Sequence, residues 1–268
     1  AAREHAGVEE RVDIADGKNL FVMTRAENRD LLVTQQRTDA GGGPNIVHVS
    51  DVYPLAHAFS STSVTDIDIL NRKLERLVTG TQAAVLYVIG TDGLAIASSN
   101  WREPISFVGN DYTFRDYFKR AMQQGTAEHF ALGSVSKRPG LYISRRVGSA
   151  DAPLGVVVVK LEFDQLETDW RDTRRPVYVT DEHGVVLITS IPSWRFMTAV
   201  PVPQQELSTI RESLQFGDAP LTPLPVVRPD IIDPKTSLVS AILPGSSAAE
   251  YLRLYATVPT TPWRLEDL

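Results

Sequence analysis

Cysteine is absent from the 268 residues, which excludes disulfides, thiolate metal sites and cysteine nucleophiles. The chain also lacks any run of 18 apolar residues and any leader in which positive charge precedes an apolar stretch. We therefore predict neither a membrane span nor a signal peptide within it. The first residue is Ala1 rather than methionine, and we expect the chain to be a segment of a longer protein.

Motifs of catalysis and of cofactor binding are missing as well. Ser134 and Ser136 lie outside any Gly-x-Ser-x-Gly elbow, and no phosphate-binding or dinucleotide-binding glycine motif occurs. His183 follows two acids, but its place in a repeated hairpin favours a turn over a metal or acid-base cluster. His5, His48 and His57 have no metal-ligand spacing. We predict no catalytic residue, no metal site and no cofactor in this folded chain, of which 43% is apolar.

Positive charge is distributed unevenly. The net charge is -6, yet residues 113–160 contain eight Lys or Arg and only three Asp or Glu. The negative charge of the whole chain disfavours nucleic acid and anionic membrane surfaces as partners. We call residues 113–160 the basic island and interpret it as the place of a pocket for a small anion.

An internal repeat organises the chain. Residues 86–99 align without gaps on residues 177–190, an offset of 91 positions. Each copy predicts a strand, a turn that contains glycine, and a second strand. Duplication explains this agreement better than chance does, so we expect two tandem domains of the same kind.

The spacing of apolar and turn residues predicts the same order of elements in both domains. In the first domain, a helix over 66–80 precedes the hairpin, and a helix opened by a capping box of Thr113 and Asp116 follows it. Three further strands are predicted, over residues 127–133, 141–147 and 155–163. In the second domain we predict a helix over 204–215, a proline-rich connection over 220–234, and strands over 236–243 and 250–258.

This order predicts an α+β fold with two tandem PAS-like domains, each an antiparallel sheet flanked by helices. Residues 66–170 would form the first domain and residues 171–268 the second. Residues 1–65 are predicted to form an N-terminal helical segment, although their apolar positions fit a helix only loosely.

Two cations of the basic island stand out by their surroundings. Arg115 is predicted near the start of a helix, where free backbone N–H groups favour an anion, and it can bind a carboxylate through two parallel hydrogen bonds. Its alternative role is an ion pair with Asp111 or Asp116. Lys160 ends an apolar run, and strand alternation places it on a partly apolar face. Its partner would be either Glu162, or another nearby acid, or a bound ligand.

The loop over residues 133–140 lies between these cations in sequence. It is rich in turn formers and carries two hydroxyls, and such loops form either anion sites or ordinary solvated turns. Two cations with a hydroxyl loop suit a small dianion. An amino acid is less suitable, because its ammonium needs an acid and we identify none at the positions facing the pocket.

Three segments carry a resemblance to a known family. They are Asn100-Trp101, the run from Phe107 to Phe118, and the run from Leu132 to Tyr142. With them the chain resembles the periplasmic sensor domains of bacterial C4-dicarboxylate sensor histidine kinases, which belong to the tandem PAS-like or double Cache sensors. The likeness covers residues 66–170 strongly and residues 238–263 moderately.

The resemblance implies that the first, membrane-distal domain binds succinate, fumarate or malate. It implies the ligand-binding set Arg115, Lys160, Ser134, Val135, Ser136, Tyr112 and Tyr142. In this set Arg115 and Lys160 hold the carboxylates, the three loop residues supply contacts, and the two tyrosines line the site. It further implies a periplasmic domain of an inner-membrane receptor that is anchored by flanking helices, forms a homodimer and carries a kinase outside this chain.

One part of the chain departs from the family pattern. The family has a long N-terminal helix, whereas Gly41-Gly42-Gly43-Pro44 would break one. Either the helix is interrupted here or the sequence is read locally in another frame. Two other functions remain open, namely the ectodomain of a chemoreceptor that binds another small carboxylate and a purely structural interaction module.

Overall fold

The computed structural model describes the backbone of four N-terminal strands within residues 8–48, and then residues 64–79, 81, 83–213, 215–258 and 261–268. The chain divides into two compact units, Ala1–Glu162 and Phe163–Leu268, called here the first and the second unit. The sequence predicts a boundary after Trp170, which lies inside the helix over residues 164–172. That helix is part of the second unit, where Glu167 accepts a hydrogen bond from Thr189 N.

The N-terminal strands correct one prediction. β1 (Val8–Ala15), β2 (Asn19–Ala26), β3 (Leu31–Arg37) and β4 (Asn45–His48) form an antiparallel sheet in the order β1-β2-β3-β4. A helical segment was predicted for residues 1–65, and it is wrong for these strands. β2 and β3 contain runs of apolar, β-branched and aromatic residues, such as Leu20 to Met23 and Leu31 to Thr34, and these residue types favour strands. Residues 41–44 and 49–63 lie outside the described residues.

The first unit contains a five-stranded antiparallel sheet preceded by helix α1 (Val64–Thr79). Its strands are β5 (Val85–Gly90), β6 (Ala95–Ser98), β7 (Thr126–Leu132), β8 (Pro139–Gly148) and β9 (Pro153–Leu161), in the order β6-β5-β9-β8-β7. Helix α2 (Asp116–Gln124) connects β6 to β7. It buries Tyr117, Phe118 and Ala121 against the sheet, because residues three and four apart share one face of a helix.

The second unit repeats this layout with one more strand. After helix α3 (Asp164–Asp172) come β10 (Val177–Thr180), β11 (Val186–Thr189) and helix α4 (Gln204–Glu212). Strands β12 (Val226–Asp233), β13 (Thr236–Ala241), β14 (Ala249–Thr257) and β15 (Arg264–Asp267) complete a sheet in the order β11-β10-β15-β14-β13-β12. In both of these sheets the last strand along the chain therefore pairs with the first strand of the sheet, β9 with β5 and β15 with β10.

Hydrogen bonds reproduce the sequence repeat. In the first unit Leu86 N donates to Ser99 Oγ at 3.0 Å, and in the second Val177 N donates to Ser190 Oγ at 2.9 Å, both partners being 91 positions apart. The preceding helix also supplies an oxygen to equivalent strand residues. Asn71 Oδ1 accepts from Ser98 N, as Glu167 Oε1 does from Thr189 N. The predicted α+β fold of two tandem PAS-like domains is confirmed by this architecture.

Two strands of the second unit were not predicted. β12 lies in the segment we had interpreted as a proline-rich connection, and its position at the edge of the sheet tolerates the missing N–H of Pro229. β15 was not predicted because it is only four residues long and begins two positions after Pro262. None of the helices described is both long and apolar enough to cross a membrane.

Candidate functional site

Arg115 lies immediately before helix α2 rather than inside it. It is the N-cap residue, with extended φ and ψ of -77° and 130°, and α2 begins at Asp116. The predicted capping box is wrong, because Thr113 binds Asp111 instead: its N and Oγ1 both donate to Asp111 Oδ1 at 2.7 Å. These two hydrogen bonds also lower the pKa of Asp111.

The guanidinium of Arg115 is held inside the first unit. Only 3% of the residue is exposed, and Nη2 donates to the carbonyl oxygen of Leu132 at 2.7 Å. Its carbon Cζ lies 4.8 Å from the ring centre of Phe114, a cation-π contact. The side chain thus reaches from the start of α2 to the end of β7, where the hydroxyl loop begins.

Lys160 is fully buried near the end of β9, opposite Val85 on one side and Tyr142 on the other. Its Nζ donates to Ser136 Oγ at 2.8 Å and forms an ion pair with Glu162. The sequence had left open whether Glu162 or a ligand meets this lysine, and in the structure Glu162 does. The inference that no acid faces the pocket was wrong: Glu162 lies two positions after Lys160, on the same face by strand alternation, and its carboxylate pairs with the ammonium.

The hydroxyl loop, residues 133–138, is closely packed at its first residue, Gly133. A Cβ at position 133 would lie 2.3 Å from Ser136 Oγ and 3.0 Å from Tyr142 Oη. Gly133 N donates to the carbonyl of Arg138, and Lys137 N donates back to the carbonyl of Gly133. The loop is thereby closed on itself and presents Ser136 to Lys160. Val135 packs against the core of the unit, and Ser134 is half-buried beside it.

Four tyrosines form a buried group under the sheet face: Tyr87, Tyr112, Tyr117 and Tyr142. Tyr117 and Tyr142 stack with ring centres 4.7 Å apart, and Tyr87 Oη donates to Tyr117 Oη at 2.7 Å. Burial raises the pKa of Tyr112 and Tyr142, so both remain protonated and able to donate. The hydroxyl of Tyr112 is buried and finds no hydrogen-bond partner among the residues that the structure describes.

The structure therefore brings most of the predicted set together. Arg115 and Lys160 donate to two positions of one short segment, Leu132 and Ser136. Tyr142 lies against both Gly133 and Lys160, and its ring centre is 5.9 Å from Lys160 Nζ. Sequence reasoning did not place Tyr87 and Tyr117 in this group. Tyr117 follows Arg115 by two positions, which was a usable signal, whereas Tyr87 lies on a distant strand, β5.

The residue types gathered here are able to donate hydrogen bonds to an anion. Two buried cations meet a serine hydroxyl and a phenol without a partner among the described residues, which together offer charge-assisted hydrogen bonds to carboxylate oxygens. Burial strengthens such bonds because few water molecules compete for them.

Comparisons with known proteins agree with this description. No family model matches the chain. The C4-dicarboxylate transport sensor protein DctB of Rhizobium meliloti is 55% identical over 220 residues, which cover 82% of this chain and 35% of the relative. DctB of Pseudomonas aeruginosa is 32% identical over 148 residues, which cover 55% of this chain and 24% of the relative. The chain thus spans about a third or less of the length of these relatives.

A solved structure extends the likeness to the fold. The sensor domain of the V. cholerae histidine kinase DctB superposes with a TM-score of 0.72 at 30% identity, and the match covers 82% of this chain and 86% of that one. The fold and this similarity define a sensor domain of the tandem PAS-like class. Within that class, the chain belongs to the periplasmic sensor domains of the DctB family of C4-dicarboxylate sensor kinases.

Proposed function

We propose that the first unit binds C4-dicarboxylates such as succinate, fumarate or malate, with Arg115 and Lys160 each holding one carboxylate. The observation that carries the proposal is that two buried cations donate to the same segment, at Leu132 and Ser136. Ser134, Val135 and Ser136 supply loop contacts, and Tyr112 and Tyr142 line the site. The dicarboxylate relatives supply the ligand class.

The affinity expected for such a site is moderate. A charge-assisted hydrogen bond contributes roughly 1.5 to 3 kcal/mol. Four or five of them, reduced by desolvation and ordering, correspond to a dissociation constant of about 1 µM.

The proposed signal is a closure of the pocket. A dicarboxylate that bridges Arg115 and Lys160 draws the start of α2 toward β9, and it shifts the equilibrium only as far as it binds the closed form better than the open one. The second unit, proximal to the membrane, passes the change to a membrane helix. The full-length protein is proposed to be a homodimeric sensor histidine kinase of a two-component system in the inner membrane.

Calorimetry with succinate tests the binding site directly. We expect Arg115→Ala to weaken binding by about 100-fold, equivalent to the loss of roughly two charge-assisted hydrogen bonds. Arg120→Ala is the matched control, because Arg120 lies exposed on the same helix α2 and the substitution removes the same charge. Circular dichroism and thermal melting verify that each variant is folded, and Arg115→Lys serves if the alanine variant is not.

The outcome against the proposal is equal affinity of wild type and folded Arg115→Ala for succinate. A thermal-shift panel of dicarboxylates and amino acids adds a second readout, because a ligand that binds only the folded state stabilises it by mass action. Absence of any shift at millimolar dicarboxylate would instead favour a structural module.

A further inference from the structure

Glu162 occupies a position that the proposed function leaves unused. Its side chain is only 12% exposed, and its two carboxylate oxygens face two different cations. Oε1 pairs with Lys160 Nζ, and Oε2 lies 3.0 Å from Nε of Arg138. Lys160 is fully buried, whereas the Arg138 side chain is 56% exposed. One carboxylate therefore connects the inner cation of the site to a cation at its rim.

The same contacts tie the hydroxyl loop to β9. Ser136 Oγ accepts from Lys160 Nζ and, at 3.3 Å, from the backbone N of Arg138. The side chain of Arg138 then reaches Glu162. The loop is thus bound to the end of β9 at two positions, by the hydrogen bond from Lys160 to Ser136 and by the ion pair between Arg138 and Glu162.

A ligand carboxylate on Lys160 would stand beside the carboxylate of Glu162. Two like charges so close together repel each other, and the low dielectric of a buried site strengthens the repulsion. The two anions therefore compete for one ammonium. Because Arg138 already holds the second oxygen of Glu162, that carboxylate has another cation to bind when it leaves Lys160.

We propose that Glu162 is an internal competitor that sets the affinity of the site: it neutralises Lys160 in the empty domain and moves toward Arg138 when a ligand carboxylate binds Lys160. This inference rests on the proposed dicarboxylate site. It makes Glu162 and Arg138 determinants of the concentration at which the sensor responds, although neither belongs to the ligand-binding set.

Calorimetry with succinate on Glu162→Gln tests the competition. The amide keeps the shape of the side chain and removes the charge, so we expect binding to tighten by about 10-fold, a partial relief of the repulsion. The empty variant should also melt at a lower temperature than the empty wild type, because Lys160 loses its anionic partner. Glu103→Gln is the matched control, since Glu103 is exposed in the same unit and loses the same charge.

Arg138→Gln separates competition from direct contact. If Arg138 acts by drawing Glu162 away, its loss weakens succinate binding by about threefold in the wild type and has no effect in the Glu162→Gln background. If Arg138 contacts the ligand itself, the loss is the same in both backgrounds, which would overturn the mechanism. The four proteins form a double-mutant cycle in which the coupling is the quantity measured.

Further outcomes also decide the matter. Weaker succinate binding by folded Glu162→Gln would show that Glu162 positions Lys160 for the ligand rather than competing with it. L-Aspartate, which is succinate with an added ammonium, provides another arm: wild-type binding that the variant loses would show that Glu162 recognises an amino group. Absence of dicarboxylate binding by wild type and variants alike would reject the proposed function itself, a result distinct from all of these.

Discussion

The two units use one sheet layout and place charges of opposite sign on its central strand. In the first unit β9 presents Lys160, whereas in the second unit the topologically equivalent strand, β15, presents Glu266. Pairing fixes the correspondence: Tyr87 lies opposite Val158, and its repeat partner Tyr178 lies opposite Glu266. Glu266 therefore stands where the first unit has valine, and Leu268 stands where it has Lys160.

The helix that follows the hairpin differs in the same way. Its N-cap residue is Arg115 in the first unit and Pro203 in the second. The second unit thus has apolar or cyclic side chains at both positions where the first has cations. Its buried acid is satisfied internally, since Glu266 Oε2 accepts from Tyr178 Oη at 2.7 Å and from Arg253 Nη1 at 3.4 Å. Because the two units share the sheet layout, the anion binding proposed for the first unit depends on these side chains and not on the layout.

The largest effect is expected at the cation that distinguishes the two units. Lys160→Met gives the first unit an apolar side chain at this position, as Leu268 does in the second. We expect succinate affinity to fall by about 100-fold, because the charge-assisted contacts of a buried ammonium are lost. Glu162 keeps Arg138 as a partner, so the variant should fold. If calorimetry finds that folded Lys160→Met binds succinate as tightly as the wild type, Lys160 does not distinguish the two units in ligand binding.

The corresponding change in the second unit should affect stability and not binding. Glu266→Ala leaves Arg253 and the Tyr178 hydroxyl without their shared acceptor. We expect the free energy of unfolding to fall by about 2 kcal/mol. This is less than the cost of breaking a fully buried ion pair, because the Arg253 side chain is 19% exposed. Urea denaturation measures the loss, and Glu250→Ala on the exposed face of β14 is the control. A simultaneous loss of succinate affinity would contradict the division of roles.

The repeated contact from helix to strand offers a smaller test in the first unit. Asn71→Ala removes the oxygen that accepts Ser98 N at 2.8 Å, and the buried N–H is left unsatisfied. The expected cost is about 1.5 kcal/mol, measured by urea denaturation. Arg72→Ala, which changes the neighbouring exposed residue, should have almost no effect. If both variants were equally stable, the contact would not support the fold.

The smallest effect is expected in the hairpin turns of the two units, where a substitution should change stability in a way that depends on pH. Burial raises the pKa of Asp181 from 3.8 to about 6. At a pH between these two pKa values, the carboxyl of Asp181 is protonated in the native state and ionised in the unfolded chain. The free energy of unfolding therefore falls as the pH rises through this range. Asp181→Asn keeps the acceptor for His183 N and Val185 N and removes the charge.

We therefore expect Asp181→Asn to stabilise the second unit by about 1 kcal/mol at pH 7, and the gain to vanish below about pH 4. Thermal melting at a series of pH values measures it. The comparison in the first unit is Asp92→Asn, because Gly90 is aligned with Asp181 and Asp92 is the exposed acid of the corresponding turn, so this change should alter stability less at pH 7. A gain that persists unchanged at pH 3 would have another cause than titration.

Much of the fold was predictable because its signals are local. The hairpins follow from turn glycines between alternating segments, and the faces of α1 and α2 follow from helical spacing. The failures have local causes too. β12 contains a proline that only an edge strand tolerates, and the N-terminal strands were interpreted as a helix because their apolar positions fitted both patterns loosely.

The candidate site was predicted in part for the same reason. Alternation along β9 placed Lys160 on an apolar face, and burial is what the structure has at that position. The partners of the two cations were not predictable in this way. Arg115 reaches Leu132, 17 positions away, and Lys160 reaches Ser136, 24 positions away, so both contacts depend on how α2, β7 and the loop pack together.

The sequence by itself determined the two repeated domains, the antiparallel hairpins and the two cations that do not lie on the surface. Periodicity and turn chemistry reveal these features because they act over a few residues. Only the tertiary structure decided that Glu162 forms the ion pair with Lys160, and that the hydroxyl of Tyr112 has no hydrogen-bond partner among the described residues. It also decided that the sheet of the second unit has Glu266 at the position of Val158 in the first. The physical reason is that charge pairing requires contact, and contact between distant segments is set by strand register and packing.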